Sequence, residues 1–194
     1  LSAHDAVGDI YPGMDVFGFT KGQFSLINLI DVVLQQTGAA NVAISTWTAA
    51  DADTRQAHIW LQSGLIRDLR FLMDLSFQSR QPALCEALIN RFGIESIRIS
   101  QIHAKFVLIR NETWNIVIRT SMNLNQNPRF EDFELSDDEG LATFLDDFLD
   151  ELFLEIPPEE NFTVTPSAHK RRFKAHGALQ DSNNIATLLK KSRL

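Results

Sequence analysis

The sequence predicts an α/β fold, a mixed β-sheet sandwiched between helices, and three observations carry that prediction. Helix-like and strand-like segments alternate from residue 24 to residue 109, the pattern of helices crossing over a sheet. The run Val42-Ala-Ile-Ser-Thr-Trp47 is nearly all apolar, as a buried strand is. Late in the chain, Leu141, Phe144, Leu145, Phe148, Leu149, Leu152 and Phe153 recur at helical spacing, and so wide an apolar stripe must dock on an apolar surface.

The first 22 residues carry Gly8, Pro12, Gly13 and Gly18 and read as an irregular segment. Phe24 to Gln36 places Phe24, Ile27, Ile30 and Leu34 on one face, with Gly38 as a stop, and predicts a helix. Asn41 to Trp47 is the buried strand. Ala49 to Ser63 is helical, with Asp51 or Asp53 near its start and Gly64 at its end. Ile66 to Phe77 alternates at Leu69, Phe71, Met73 and Leu75 and predicts a strand. Pro82 to Phe92 is a helix with Pro in its first turn and Gly93 after its last. Ser96 to Ser100, Ile102 to Ile109 and Trp114 to Arg119 read as strands, the last two joined by a turn near Asn111-Glu-Thr113. Ser136-Asp-Asp-Glu139 has the spacing of a capping box for the helix that follows. The other side of that helix (Asp146, Asp147, Asp150, Glu151) reads as solvated surface. Pro157-Pro158 ends it, so residues 1–156 form the expected domain and 157–194 a basic tail with a short helix over 182–189.

Composition narrows the function. The chain has 194 residues, 44% hydrophobic and 22% charged, ordinary for a single globular domain. Cys85 is the only cysteine, so no intrachain disulfide forms, and its helical surroundings mark it as a small core residue. No Cys/His cluster has zinc-site spacing. No apolar run is long enough to span a bilayer and no secretory leader pattern is present, so a cytoplasmic protein is expected. The Asn161-Phe-Thr163 sequon then reads as accidental. Leu1 in place of a starting Met suggests that the natural N-terminus lies upstream. The net charge of −7 is uneven: residues 157–194 hold seven Lys/Arg against three Asp/Glu, while eleven acids fall between Glu131 and Glu155. An acidic body attracts nucleic acid only through a local basic patch.

The chemistry concentrates in His103-Ala-Lys105 and Ser121-Met-Asn123. Residues two apart on a strand share a face, so His103 with Lys105, and Ser121 with Asn123, are expected to converge at one end of the sheet. An imidazole, an ammonium, a hydroxyl and an amide suit phosphoryl chemistry: a nucleophile, a cation for the phosphate oxygens, and neutral donors that position them.

This arrangement resembles the phospholipase D superfamily, whose signature is His-x-Lys, a gap, an Asp, a second gap, then Gly-Ser and Asn. His103-x-Lys105 is intact, Thr120-Ser121-Met122-Asn123 stands for Gly-Ser-x-Asn, and Asn127-Pro-Arg-Phe-Glu131 looks like the Asn and Glu that follow in the family. The wording is most similar to small single-domain members of bacteria and phages. The match runs from Gln101 to Glu134 and extends by element order to about residues 24–155. Two positions depart from the family: Arg110 stands where an Asp is expected and Thr120 where a Gly is expected.

The resemblance implies a metal-independent phosphodiesterase with no cofactor, acting through a phosphohistidine. One His attacks phosphorus; a second protonates the leaving oxygen and later activates water. His4, His58, His169 and His176 are not followed by x-Lys, so a working site needs two chains, and a homodimer is the expected partner arrangement. In such a site His103 is nucleophile or general acid/base, Lys105 and Asn123 hold the phosphate oxygens, Ser121 donates a hydrogen bond, and Glu131, with Glu134 as the alternative, orients an imidazole. An endonuclease acting on DNA or RNA is preferred, because the chain is short and shows no interfacial helix with a basic face. Two alternatives stand beside it: a nucleic-acid-binding or assembly protein that has lost turnover, and a lipid phosphodiesterase. Lys170, Arg171, Arg172 and Lys174, around Phe173, are candidate nucleic-acid contacts, weighed against a tail that folds onto its own acidic body. Trp47, Trp60 and Trp114 read as core or interface residues.

Overall fold

In the computed structural model, which describes residues 1–161, seven strands form one mixed sheet. In chain order the elements are α1 (Ala3–Val7), β1 (Asp15–Thr20), α2 (Leu26–Thr37), β2 (Ala40–Thr46), α3 (Asp51–Gln62), β3 (Ile66–Asp74), α4 (Phe77–Arg80), α5 (Pro82–Phe92), β4 (Ile97–Ser100), β5 (Phe106–Arg110), β6 (Asn115–Thr120), β7 (Glu131–Asp137) and α6 (Glu139–Glu155). The spatial order is β1-β7-β6-β5-β2-β3-β4, with β2, β3 and β4 parallel and the remaining pairs antiparallel.

The sheet separates two apolar cores. One face packs Leu29, Ile30, Val33 and Leu34 of α2, Trp60 of α3 and Leu88 of α5 against Ile44, Phe71, Val107 and Ile118. The other packs Leu141, Leu149 and Leu152 of α6 against Ala43, Leu72, Leu108 and Val117. Central strands with helices on both faces must be apolar at successive positions. β5 is accordingly buried from Phe106 to Ile109.

Four expectations are corrected. The first 22 residues are not irregular: α1 is closed by a Ser2–Asp5 capping box, and β1 pairs along its whole length with β7, Thr20 opposite Glu131. The signal was masked because β1 is an edge strand whose Phe17 and Phe19 face solvent, so apolar alternation points outward. Residues 131–137, read only as sequence after the motif, form β7; Asp132 and Glu134 line a cleft beside α6, while Phe133 and Leu135 pack into the opposite core. The cap of α6 is Asp138, which accepts from the Leu141 N–H at 2.9 Å; Ser136 is a buried strand residue. The acidic side of α6 is not wholly solvated. Asp146 lies between Arg70 and Arg110, and Asp150 also reaches Arg70.

Past α6 the chain makes a 3-10 turn (Pro158–Glu160) and returns to the sheet. Asn161 is buried, accepts from the Ile99 N–H at 2.8 Å and donates to the Ile97 carbonyl. It thus completes the outer edge of β4. A side chain so placed is closed to a glycosyl donor. Cys85 is buried in α5, as its pattern implied. Lys170, Arg171, Arg172 and Lys174 lie outside the described residues, as do the expected helix over 182–189 and most of the tail.

Candidate active site at the carboxyl edge of the sheet

The candidate residues gather where β2 and β3 end and β5 begins. Parallel strands leave their ligand sites at this carboxyl edge, and the register sets Ser45 of β2 opposite Phe106 of β5 and Phe106 opposite Arg119 of β6. His103 and Lys105 are not strand residues: the strand starts at Phe106, and residues 102–105 are the extended lead-in to it. The apolar run Phe106–Ile109 anchors that lead-in from below. The Ser45 hydroxyl donates to the Ala104 carbonyl at 2.8 Å, and the Lys105 carbonyl accepts from the Thr120 N–H at 3.2 Å. The motif is therefore tied to both neighbouring strands while His103 stays exposed.

Lys105 Nζ donates to the His103 carbonyl at 3.0 Å and lies 3.4 Å from His103 Nδ1. An ammonium only donates, so Nδ1 is the acceptor and a neutral ring carries its proton on Nε2. Burial pulls the Lys105 ammonium below its ordinary pKa, against the opposing pull of Glu131 and then Asp74.

Ser121 follows directly on β6. Its hydroxyl donates to Glu131 Oε2 and accepts from the Asp132 N–H at 3.0 Å, while Asn127 Nδ2 donates to Glu131 Oε1 at 3.0 Å. Glu131 is thus held by Ser121 and Asn127, with no hydrogen bond to His103 within the chain. Glu134, the other candidate, pairs with Arg119. Asn123 reaches across to β2: its Oδ1 accepts from the Trp47 N–H at 3.2 Å and the Thr46 hydroxyl at 3.5 Å, which leaves its NH2 as the available donor. One edge therefore carries His103, Lys105, Ser121, Asn123 and Glu131.

The two departures from the motif have structural roles. Thr120 donates its hydroxyl to the Asp132 carbonyl and accepts from the Met122 N–H at 2.9 Å, stiffening the turn that presents Ser121. Arg110 lies at the far end of β5, four residues beyond Phe106, or about 14 Å from the site edge at strand rise. Its guanidinium holds Asn115 and Asp146.

Trp47 corrects the expectation of a core or interface residue. It is half-buried at the site edge, 6.3 Å from the His103 ring between centroids, and the Arg80 guanidinium lies 3.6 Å from its centroid. Trp60 does belong to the core, and Trp114 packs at its margin. No sequence pattern marked Trp47 or Arg80, because they are brought together from the ends of β2 and α4.

A cleft of about 670 Å³ opens beside Lys105 and Ser121, floored by Ile102, Phe106, Leu141 and Phe148. Among the described residues, no three His, Cys, Asp or Glu side chains cluster as a metal site, and no helix is long and apolar enough to cross a membrane.

No family model matches the chain, and no curated protein matches it by sequence. Solved structures do match. Polyphosphate kinase from Porphyromonas gingivalis superposes with a TM-score of 0.52 at 12% identity, over 72% of this chain and 26% of that one. The chain therefore spans about a quarter of the kinase. NucT from Helicobacter pylori gives 0.49 at 12% identity, covering 72% of this chain and 96% of that one. Nuc from Salmonella typhimurium, titled a phospholipase D family member, gives 0.47 at 16% identity, covering 71% and 92%. The chain shares its α/β fold with the superposed part of the kinase. At these identities the likeness is one of fold.

Proposed function

We propose that the protein is a metal-independent phosphodiesterase, an endonuclease of DNA or RNA, whose working site is shared by two subunits. The observation that carries this reading is the junction of His103–Lys105 with Ser121–Glu131–Asn127 and Asn123 on one open edge. In the first step an imidazole Nε2 attacks phosphorus, a P–N bond forms, and the P–O bond to the leaving group breaks. The second subunit's ring, as the imidazolium, gives its Nε2 proton to the leaving oxygen and becomes the neutral imidazole. Water then attacks phosphorus, loses a proton to that same imidazole, and the P–N bond breaks to restore the first ring. Lys105 and the Asn123 amide stabilise the charge on the non-bridging oxygens, and Ser121 holds Glu131 beside them.

The Lys105–Nδ1 contact leaves a neutral ring with its proton on Nε2; to act as the general acid that ring must take a second proton, at Nδ1 in place of the Lys105 contact, and become the imidazolium. The subunit that supplies the nucleophile needs the other tautomer, so its Nδ1 must exchange Lys105 for an acceptor. A carboxylate brought by the second chain is the group that fits.

The test is cleavage of single- and double-stranded DNA and RNA in excess EDTA, comparing the intact protein with His103→Ala, together with sedimentation to give the oligomeric state. Metal-resistant cutting by a dimer, lost in the variant, is the expected result. Binding without cutting by either protein would point instead to a phospholipase D-like binding or assembly protein.

A second reading is favoured by the apolar cleft beside Lys105, whose walls include Leu141, Phe144, Leu145 and Phe148. That lining suits the hydrocarbon of a lipid phosphodiester. Headgroup release from phospholipid vesicles, with no oligonucleotide cleavage, would select it.

A further inference from the structure

We infer that the site edge is a single-stranded nucleic-acid track, with a cation–aromatic pair at each end: Arg80 with Trp47 beside His103, and Lys21 with Phe130 beside Glu131. This rests on the reading of the edge as a phosphodiester site and adds the strand type and the residues that grip it.

The first pair is built by three contacts. Arg80 Nη2 donates to the Trp47 carbonyl at 2.7 Å, Nε donates to the Ser76 hydroxyl at 2.9 Å, and the guanidinium lies 3.6 Å from the indole centroid. Ser76 is itself held by Asp74. Among the described residues Arg80 has no carboxylate within ion-pair distance, although it is exposed on a chain whose net charge is −7. Its remaining N–H groups are donors for an incoming phosphate or base edge.

The second pair sits at the opposite flank. Lys21 follows β1, whose Thr20 pairs with Glu131, and its Nζ lies 5.0 Å from the Phe130 centroid. Phe130 is 71% exposed. The two loops are pressed together at Gly22. There φ is +75°, and a Cβ would meet the Asn127 carbonyl oxygen and Pro128 Cα at 3.0 Å, so only glycine fits. Asn127 in turn holds Glu131, which links this loop to Ser121.

The rings of the two pairs flank β7 and β2, three strand-to-strand steps apart (β7-β6-β5-β2), or about 14 Å at ordinary strand spacing. His103, Lys105 and Ser121 occupy the middle. A run of a few unpaired nucleotides spans that distance, and the exposed Phe130 ring rewards an unpaired base, since stacked duplex bases offer no free face. Lys21 and Arg80 also place positive charge on this edge of a chain whose net charge is −7, which favours a polyanion here.

The experiment uses the full chain carrying His103→Ala, so that nothing is cut, and follows the anisotropy of a fluorescein-labelled single-stranded dodecanucleotide against its duplex. Arg80→Ala and Phe130→Ala are then added separately. Both positions are exposed, so both variants are expected to fold, and Phe130→Tyr is expected to restore binding as a stacking role requires. The expected result is tighter binding of the single strand than of the duplex, weakened at least fivefold by each alanine. In the active protein, tested on the oligonucleotide and on bis(p-nitrophenyl) phosphate, the same alanines raise KM for the oligonucleotide. Equal affinity for duplex, absent single-strand binding, or unaltered binding in both alanines overturns the track. Binding that follows this pattern in a protein that cleaves neither substrate upholds the track and removes the phosphodiesterase reading.

Discussion

Arg110 Nη1 donates to Asp146 Oδ2 at 2.7 Å across the face of the sheet, joining β5 to α6. Arg70 of β3 binds the other oxygen of the same carboxylate and also Asp150. Arg110, which departs from the motif this chain resembles, is therefore a clamp on the helix that covers this half of the sheet. Asp146→Ala leaves two half-buried guanidinium groups facing one another and should cost about 2 kcal/mol, read as a lowered urea midpoint at unchanged slope. Arg110→Asp, which restores the family residue, should destabilise as well, because it sets two carboxylates together. A gain in cleavage with Arg110→Asp would refute the structural role given to this side chain.

Ser121 links the Asp132 N–H to the Glu131 carboxylate. Ser121→Ala removes both contacts at a half-buried site. The loss should be about 1 kcal/mol, a fall of about 2–4 °C in Tm for a chain of this size. The Glu131 carboxylate would also turn freely, so phosphodiester turnover should fall by more than the stability does. An unchanged turnover number would remove Ser121 from the site.

Asp53, in the first turn of α3, has its Oδ2 buried without a hydrogen-bond partner, and burial pushes its pKa up to about 6 from 3.8. The folded state thus holds this proton more tightly than the unfolded chain. Its contribution favours folding below pH 4 and is lost as the pH rises from about 4 to about 6. Asp53→Asn should stabilise the protein by about 1–2 kcal/mol at pH 7, after allowance for solvent screening. Denaturation at pH 4.5 and at pH 7 checks the sign: the gain must be larger at pH 7.

Burial pushes the Cys85 thiol up to about 11 from 9.0. The thiolate is the reactive form, so at pH 8 Ellman's reagent should label the native protein very slowly and the urea-unfolded protein at once. Rapid native labelling would show that α5 opens.

Asn161→Ala leaves the Ile99 N–H and the Ile97 carbonyl of β4 without their partner. The expected loss is about 2 kcal/mol. Hydrogen exchange at Ile99 should quicken, while exchange in β5 and β6 stays slow.

Much of the central fold was legible. Pro82 to Phe92 is helical over those residues because a proline start and a glycine stop are local signals. The buried strand near Val42 was readable because a helix-covered strand must be apolar on both faces. β1 was not, because an edge strand half out of the core carries no such pattern. The His-x-Lys and Ser-x-Asn spacings named the site residues but misplaced their backbone. His103 and Lys105 precede the strand, where the Ser45 hydroxyl and the Thr120 N–H donate to the Ala104 and Lys105 carbonyls, and such bonds leave no trace in sequence spacing.

The sequence by itself determined the element order in the middle of the chain, the identity of the candidate catalytic residues, and the presence of one His-x-Lys per chain, because periodicity, turn residues and short motifs are local properties. Tertiary structure alone decided that Glu131 is held by Ser121 and Asn127 and not by His103, that Arg110 serves α6, and that Trp47, Arg80, Lys21 and Phe130 line the site edge. Those relationships join residues tens of positions apart. They exist only once β1 and β7 are zipped to β6 and the carboxyl ends of β2 and β3 lie beside the start of β5.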